Sequence, residues 1–147
     1  MSPGQAQRTV VLVMRALVVA FAFSGVLFLV APDGVIGTVD DVGDAIGGFS
    51  DGPASEQKLW VALSFAYMVV ITGIAAVVST DVVRYRPLIL VLAAGKIASS
   101  VPALGFYLFH RDDFMYLVTF LVDGTLVFVA LGCWVLAGRV ARPVVTA

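Results

Sequence analysis

Two charged residues stand deep inside long apolar stretches of this sequence, and they are its strongest candidates for chemistry. Lys96 and Asp123 each lie well within a run of apolar residues. An ammonium or a carboxylate near the centre of a membrane-spanning helix costs roughly 2.5–3.5 kcal/mol of insertion free energy. Each side chain must therefore face protein or water and find a partner. Such groups either fix which helix faces meet or form part of a path for ions or protons.

A direct ion pair between Lys96 and Asp123 is one of two arrangements that the sequence leaves open. By residue count, Lys96 lies about 4 Å to one side of the middle of its apolar run, and Asp123 about 5–6 Å to the other side. The alternative is two polar layers, one around Asp123 and Tyr67 and one around Lys96 and Arg15. Three further polar residues lie close in depth to one charge or the other: Thr72, Ser99 and Ser100.

Length and composition assign these residues to a small membrane protein. Of the 147 residues, 61% are hydrophobic and 13% are charged, and the mean hydropathy is +1.03. Soluble domains average about 45–50% apolar and about 25% charged residues. The composition therefore excludes an ordinary soluble enzyme and a disordered chain. The net charge of −1 gives no electrostatic reason to expect a nucleic-acid partner.

Four apolar runs are long enough to cross a bilayer as helices. A span needs about 20 mostly apolar residues, and the runs cover residues 10–30, 59–79, 88–109 and 116–138. The predicted fold is an all-α membrane protein, a bundle of four transmembrane helices in a single domain over residues 1–147. The first run contains Arg15, whose guanidinium is expected to reach the membrane interface.

The distribution of basic residues predicts that both termini face the cytoplasm, across a plasma (inner) membrane. Loops on the cytoplasmic side carry an excess of lysine and arginine. One side of the predicted bundle collects six basic residues and the other only two. The six are Arg8, Arg15, Arg84, Arg86, Arg139 and Arg142, and the two are Lys58 and Arg111.

The long first loop, residues 31–58, is predicted to hold a short amphipathic helix on the extracytoplasmic surface. Apolar residues recur there at spacings of four and three, which form one stripe of a helix. We expect this stripe to cap the bundle or to contact a partner protein. Its members are Val35, Val39, Val42, Ile46 and Phe49. The neighbouring acidic residues lack the ligand spacing of an EF-hand, so no metal site is predicted.

Small residues in the third and fourth runs predict close contacts between helices, because they let backbones approach. The glycines concerned are Gly95, Gly105, Gly124 and Gly132. Pro102 lacks a backbone donor and is expected to kink the third helix. A cavity at this kink, beside Lys96, Ser99 and Ser100, is the predicted place for a bound lipid tail, a quinone or water.

Three functions of different classes are compatible with the sequence. The first is a non-catalytic accessory subunit of a larger membrane complex or a homo-oligomer, in contact with lipid and with other membrane subunits. The second is a carrier of protons, ions or small molecules that uses Lys96 and Asp123. The third is a membrane enzyme acting on a lipid or quinone, with Tyr67 completing a minimal acid–base set. One histidine, His110, and one cysteine, Cys133, supply no nucleophilic triad, so no catalytic residue is predicted.

Overall fold

The computed structural model of the chain is all-helical and describes residues 1–47, 49 and 58–140. Its five helices are α1 (Pro3–Val30), α2 (Pro32–Ile46), α3 (Lys58–Thr80), α4 (Arg86–Phe109) and α5 (Phe114–Val140). All but α2 are long and apolar enough to cross a membrane. The prediction of an all-helical fold with four long apolar helices that could span a membrane is confirmed. Part of the predicted loop and Arg142 lie outside the described residues.

Local hydrogen bonds explain where α1 begins and how α3 turns into α4. The Ser2 hydroxyl accepts a hydrogen bond from the Gln5 backbone at 3.3 Å, and the Gln5 side chain accepts one from the Ser2 backbone at 2.9 Å. This reciprocal capping box satisfies donors that a helix start leaves free. In the turn, Asp81 Oδ1 accepts from the backbone N–H groups of Val83 and Arg84. The short turn makes α3 and α4 antiparallel.

Two extensively packed helix pairs build the bundle: α1 lies along α3, and α4 lies along α5. Contacts between α1 and α5, and fewer between α3 and α4, join the pairs. The core between them is apolar, with Met14 of α1, Ile71 of α3 and Leu92 of α4 all buried. One end of the bundle carries α2 and the 110–113 loop, and we call it the α2 end. At the other, the terminal end, α1 begins and α5 ends.

The helix α2 occupies part of the predicted first loop and packs against α1 and the first turn of α5. Gly43 is buried there, and a Cβ on it would lie 2.9 Å from the Cβ of Phe114. The ring of Phe49 contacts the ring of Phe114, with 4.9 Å between centroids. The absence of a side chain at Gly43 therefore lets α2 reach α5. The side of a membrane on which α2 lies stays a prediction.

Two of the four glycines predicted to mediate helix contacts lie at such contacts. A Cβ on Gly95 would lie 3.2 Å from the hydroxyl of Tyr67, and one on Gly124 would lie 3.3 Å from the hydroxyl of Ser100. For the other two the prediction does not hold, because a Cβ there would meet no neighbouring atom within 4 Å. They are Gly105 and Gly132.

Two closer approaches involve glycines outside that set. A Cβ on Gly25 of α1 would lie 2.9 Å from the Cβ of Met68 on α3, and one on Gly138 of α5 would lie 2.7 Å from the guanidinium of Arg86. Small residues mediate contacts only where they face another helix. The spacing of glycines in the sequence does not show which of them face another helix.

Candidate functional site

The two intramembrane charges form a direct ion pair between α4 and α5. Lys96 Nζ donates a hydrogen bond to Asp123 Oδ1 at 2.8 Å, and the exposed fractions of the two side chains are 3% and 14%. Ser99, one turn after Lys96 on α4, donates its hydroxyl to Asp123 Oδ2. Each carboxylate oxygen therefore has a donor, and the lysine charge has a counter-ion. Hydrogen bonds of this kind, with an ionised partner, are stronger than neutral ones.

Two aromatic rings cover other faces of the Lys96 ammonium. Its Nζ lies 4.9 Å from the ring centroid of Phe21 and 5.5 Å from that of Tyr67. A cation over an aromatic face is attracted by the ring quadrupole at these distances. Since Phe21 belongs to α1 and Tyr67 to α3, all four long helices contribute to the surroundings of one ammonium group. We call Lys96, Asp123, Ser99, Phe21 and Tyr67 the charge cluster.

The alternative of two separate polar layers is wrong. Arg15 is exposed and lines a surface hollow together with other residues of α1, among them Arg8. Thr72 donates its hydroxyl to the backbone oxygen of Met68 in its own helix. Lys96 reaches Asp123 because its flexible four-carbon side chain spans the offset in depth that residue counting implies. One charge cluster replaces the two layers.

Ser100 adds a second link between α4 and α5. Its hydroxyl donates to the backbone oxygen of Phe120 at 3.1 Å, beside the close approach of Gly124. The Tyr67 hydroxyl is buried against Gly95 and has no hydrogen-bond partner among the described residues. The predicted polar residues other than Arg15 and Thr72 therefore gather around the α4–α5 contact.

A largely apolar cavity of about 470 Å³ adjoins the charge cluster. Lys96 and Asp123 are part of its wall, and the rest comes mainly from apolar side chains of α1, α2 and α5. Sites for small molecules commonly enclose about 300–1,000 Å³. The sequence predicts a cavity at the Pro102 kink, beside Lys96, Ser99 and Ser100. The observed cavity lies instead on the face of the ion pair that looks toward α1 and α2, and neither serine lines it.

The predicted stripe of α2 divides between this cavity and the surface. Val35 and Val39 line the cavity, and Phe49 contacts Phe114. Val42 and Ile46 are exposed, at 48% and 65%. The reason is that Gly43, rather than Val42, lies in the contact with α5, so only part of the stripe is buried, and its contact with a partner stays a prediction.

A second anchoring contact joins α4 and α5 at the terminal end. Arg86 Nε donates to the backbone oxygen of Trp134 at 3.1 Å, and the guanidinium lies 4.2 Å from the Trp134 ring centroid. The bare backbone at Gly138 leaves room for this guanidinium. In the sequence, Arg86 stands out only as one of the basic residues that predict the topology, because no pattern of spacing links it to Trp134.

Asp113, in the loop before α5, is a buried acid. Its side chain is 1% exposed, and Oδ1 lies 3.2 Å from Nε of Arg111. Burial raises the pKa of Asp113 above the ordinary value of 3.8, and the charge of Arg111 opposes this shift. The negative charges of Asp112 and Asp40 add to the increase in pKa. An aspartate in a polar loop is usually exposed to solvent, so the sequence does not predict that Asp113 is buried.

Comparisons of the chain with protein-family models, curated proteins and solved structures found no match. Among the described residues, no group of three or more His, Cys, Asp and Glu side chains could hold a metal ion. We therefore infer function from the geometry of the charge cluster and the cavity.

Proposed function

We propose that this protein binds a membrane-soluble molecule with an apolar chain in the cavity between α1, α2 and α5. The observation that carries this proposal is the cavity of about 470 Å³, with largely apolar walls and a buried ion pair among them. A well-formed apolar pocket with a few convergent polar groups is the usual form of a small-molecule site. Apolar walls favour a chain or ring system, and the ion pair offers a place for one polar group.

The position of the ion pair also supports this function. A buried pair contributes little net stability, because removing both charges from water costs about as much as their attraction returns. Within a membrane, an ionisable residue is therefore a sign of function. Asp123 is not sealed in the core: its side chain keeps 14% exposure and lines the cavity. A bound molecule can thus touch the carboxylate.

The cavity is open on the side where lipid would lie. Leu27 of α1 and Val122 of α5 both line it, and both belong to the exposed apolar surface. A molecule dissolved in the bilayer can therefore enter between α1 and α5 without crossing water. We expect the ligand to come from the membrane.

Photolabelling tests the proposed function. The full chain in nanodiscs is exposed to a diazirine-bearing tetradecyl methyl ether, and the labelled residues are mapped by mass spectrometry. We expect labels on the cavity walls of α1 and α5, and reduced labelling in Val39→Trp, whose indole ring occupies part of the cavity. The matched control is Val42→Trp on the exposed face of the same helix. Equal labelling of the two variants would overturn the proposal.

We also propose that the protein lies in the plasma membrane with both termini in the cytoplasm. Among the described residues, the terminal end carries most of the basic side chains, and Lys58 and Arg111 belong to the α2 end. An excess of basic residues favours the cytoplasmic side. With this orientation, α2 lies at the extracytoplasmic surface and covers the cavity from there.

The accessory-subunit, carrier and enzyme functions stay predictions from the sequence. Mass determination after purification in mild detergent separates the first from a self-contained binding protein. A stoichiometric partner would favour the subunit, and a monomer or small homo-oligomer would favour the binding protein. A carrier predicts that Asp123→Asn abolishes transport of a proton or solute in vesicles while the variant stays folded.

A further inference from the structure

The polar groups on the α5 wall of the cavity accept hydrogen bonds. Asp123 receives one hydrogen bond on each oxygen, from Lys96 and from Ser99. A carboxylate has about four acceptor sites, so about two remain vacant. Because its side chain is still partly exposed and lines the cavity, this vacant capacity is open to a ligand.

Thr119 offers the same chemistry one turn earlier on α5. It also lines the cavity, and residues four apart lie on one face of a helix. Its hydroxyl proton is used within the helix, in a hydrogen bond to the backbone oxygen of Met115 at 2.8 Å. Only the lone pairs of the Thr119 oxygen are left for a ligand. Asp123 and Thr119 therefore form a pair of acceptors.

The cavity wall offers fewer available hydrogen-bond donors than acceptors. The Lys96 ammonium is 3% exposed and is taken up by Asp123 and the rings of Phe21 and Tyr67. Ser24 of α1 also lines the cavity, and its hydroxyl both donates and accepts, so it does not discriminate between ligands. The best complement to this wall is a ligand that donates.

Building on the proposed binding function, we infer that the ligand is a neutral lipid whose polar end is a hydroxyl group, such as a long-chain or isoprenoid alcohol. A cationic donor would meet the nearby positive charge of Lys96. An anionic head group would bring no proton to the acceptors, and it would add a second charge that must leave water. A neutral hydroxyl donates to Asp123 or Thr119 without either cost.

The cavity volume sets the size of the buried part. At about 30 Å³ for each water-sized group, 470 Å³ holds roughly 15 such groups. A chain of about fourteen carbons with one hydroxyl fits this volume. Tetradecanol is therefore a suitable probe, and its methyl ether is a matched control that lacks only the donor.

Competition tests the hydroxyl. Unlabelled tetradecanol and unlabelled tetradecyl methyl ether compete with the diazirine-bearing ether for the wild-type chain in nanodiscs. Competitor concentrations are expressed per lipid, so that differences in how the two competitors partition into the bilayer do not affect the comparison. We expect the alcohol to compete on the order of tenfold better, the usual effect of one hydrogen bond to a charged group. Equal competition would overturn the inference about the hydroxyl.

Thr119→Val keeps the ion pair and the shape of the side chain while removing one acceptor. Because one hydroxyl carries one proton to divide between two acceptors, we expect the advantage of the alcohol to shrink by about twofold in this variant and the binding of the ether to stay unchanged. An equal loss for both competitors would mean that the substitution only disturbs packing, and it would count against the inference. Failure of the ether to label the cavity at all would contradict the binding function instead, so the two failures are distinguishable.

Discussion

At the scale of single residues, Lys96 and Asp123 each need the other in order to be buried in the bundle. Each charge is tolerable in the bundle because the other is 2.8 Å away and because Ser99 and two aromatic rings complete its surroundings. Removing one partner leaves a buried charge without its counter-ion, which costs more than the intact pair contributes. The coupling free energy between the two residues is therefore a more specific measure of the ion pair than the effect of either single substitution.

A double-mutant cycle measures that coupling. We expect Lys96→Met and Asp123→Asn each to lower the free energy of unfolding by about 1–3 kcal/mol. The double variant is expected to lose clearly less free energy of unfolding than the two single variants together, because it contains no unpaired charge. Unfolding in a mixed-micelle titration gives all three values. As a control, Asp123→Asn with Thr72→Val should be additive, since the Thr72 hydroxyl donates to the backbone of Met68 in its own helix. Additivity of the Lys96 cycle would refute the coupling.

The buried carboxyl of Asp113 predicts a pH dependence of stability. Its pKa is raised in the folded protein, so folding favours the protonated form, and this contribution is complete below the ordinary pKa of 3.8. It is lost as the pH rises through the raised value. Asp113→Asn should therefore gain stability relative to wild type between pH 4 and pH 7. Arg111 does not oppose this gain strongly, because its side chain is exposed and stays hydrated.

Unfolding midpoints at several pH values, read for both proteins in the same detergent, provide the measurement. Asp44→Asn is the matched control, because Asp44 is exposed on α2. Its difference from wild type should not follow the same pH profile. A flat difference between Asp113→Asn and wild type over this range would contradict the buried-acid interpretation.

At the scale of helices, close packing of α1 on α3 depends on a bare backbone at Gly25. A Cβ there would lie 2.9 Å from the Cβ of Met68, which cannot move without its helix. We expect Gly25→Ala to lower the free energy of unfolding by about 1–3 kcal/mol, the usual cost of overpacking. Gly73→Ala on α3 is the control, because no atom lies within 4 Å of the added Cβ. It should gain up to about 1 kcal/mol through helix propensity. Equal thermal stability of the two variants would contradict this packing.

The helices themselves follow from the sequence, because hydrocarbon thickness demands long apolar runs and few other structures satisfy the backbone there. Relations between helices do not follow so directly. The ion pair depends on the reach of one lysine side chain, and the contact of α2 depends on Gly43 fitting Phe114. The cavity is a gap between three helices, and its position depends on how they are rotated. Residue spacing within one helix carries no information about that rotation.

At the scale of the whole molecule, charge is distributed unevenly between the two ends. Among the described residues, Arg84, Arg86 and Arg139 belong to the terminal end, whereas Asp112 and Asp113 belong to the α2 end. Basic residues near the ends of spans favour the cytoplasmic side, and acidic residues contribute little. The proposed orientation therefore turns the α2 end, with the cover of the cavity, away from the cytoplasm.

Cysteine labelling in intact cells tests this orientation. In a Cys133→Ala background, the only cysteine is introduced either by His110→Cys at the α2 end or by Val83→Cys at the terminal end, both exposed positions. A membrane-impermeant maleimide should label the His110 variant in intact cells and the Val83 variant only after the membrane is opened. Labelling of both variants after lysis is the control for accessibility. The reverse pattern would invert the topology and place α2 and the cavity cover in the cytoplasm. Since the bundle would be unchanged, that result would leave the binding proposal standing and alter only the side from which α2 covers the site.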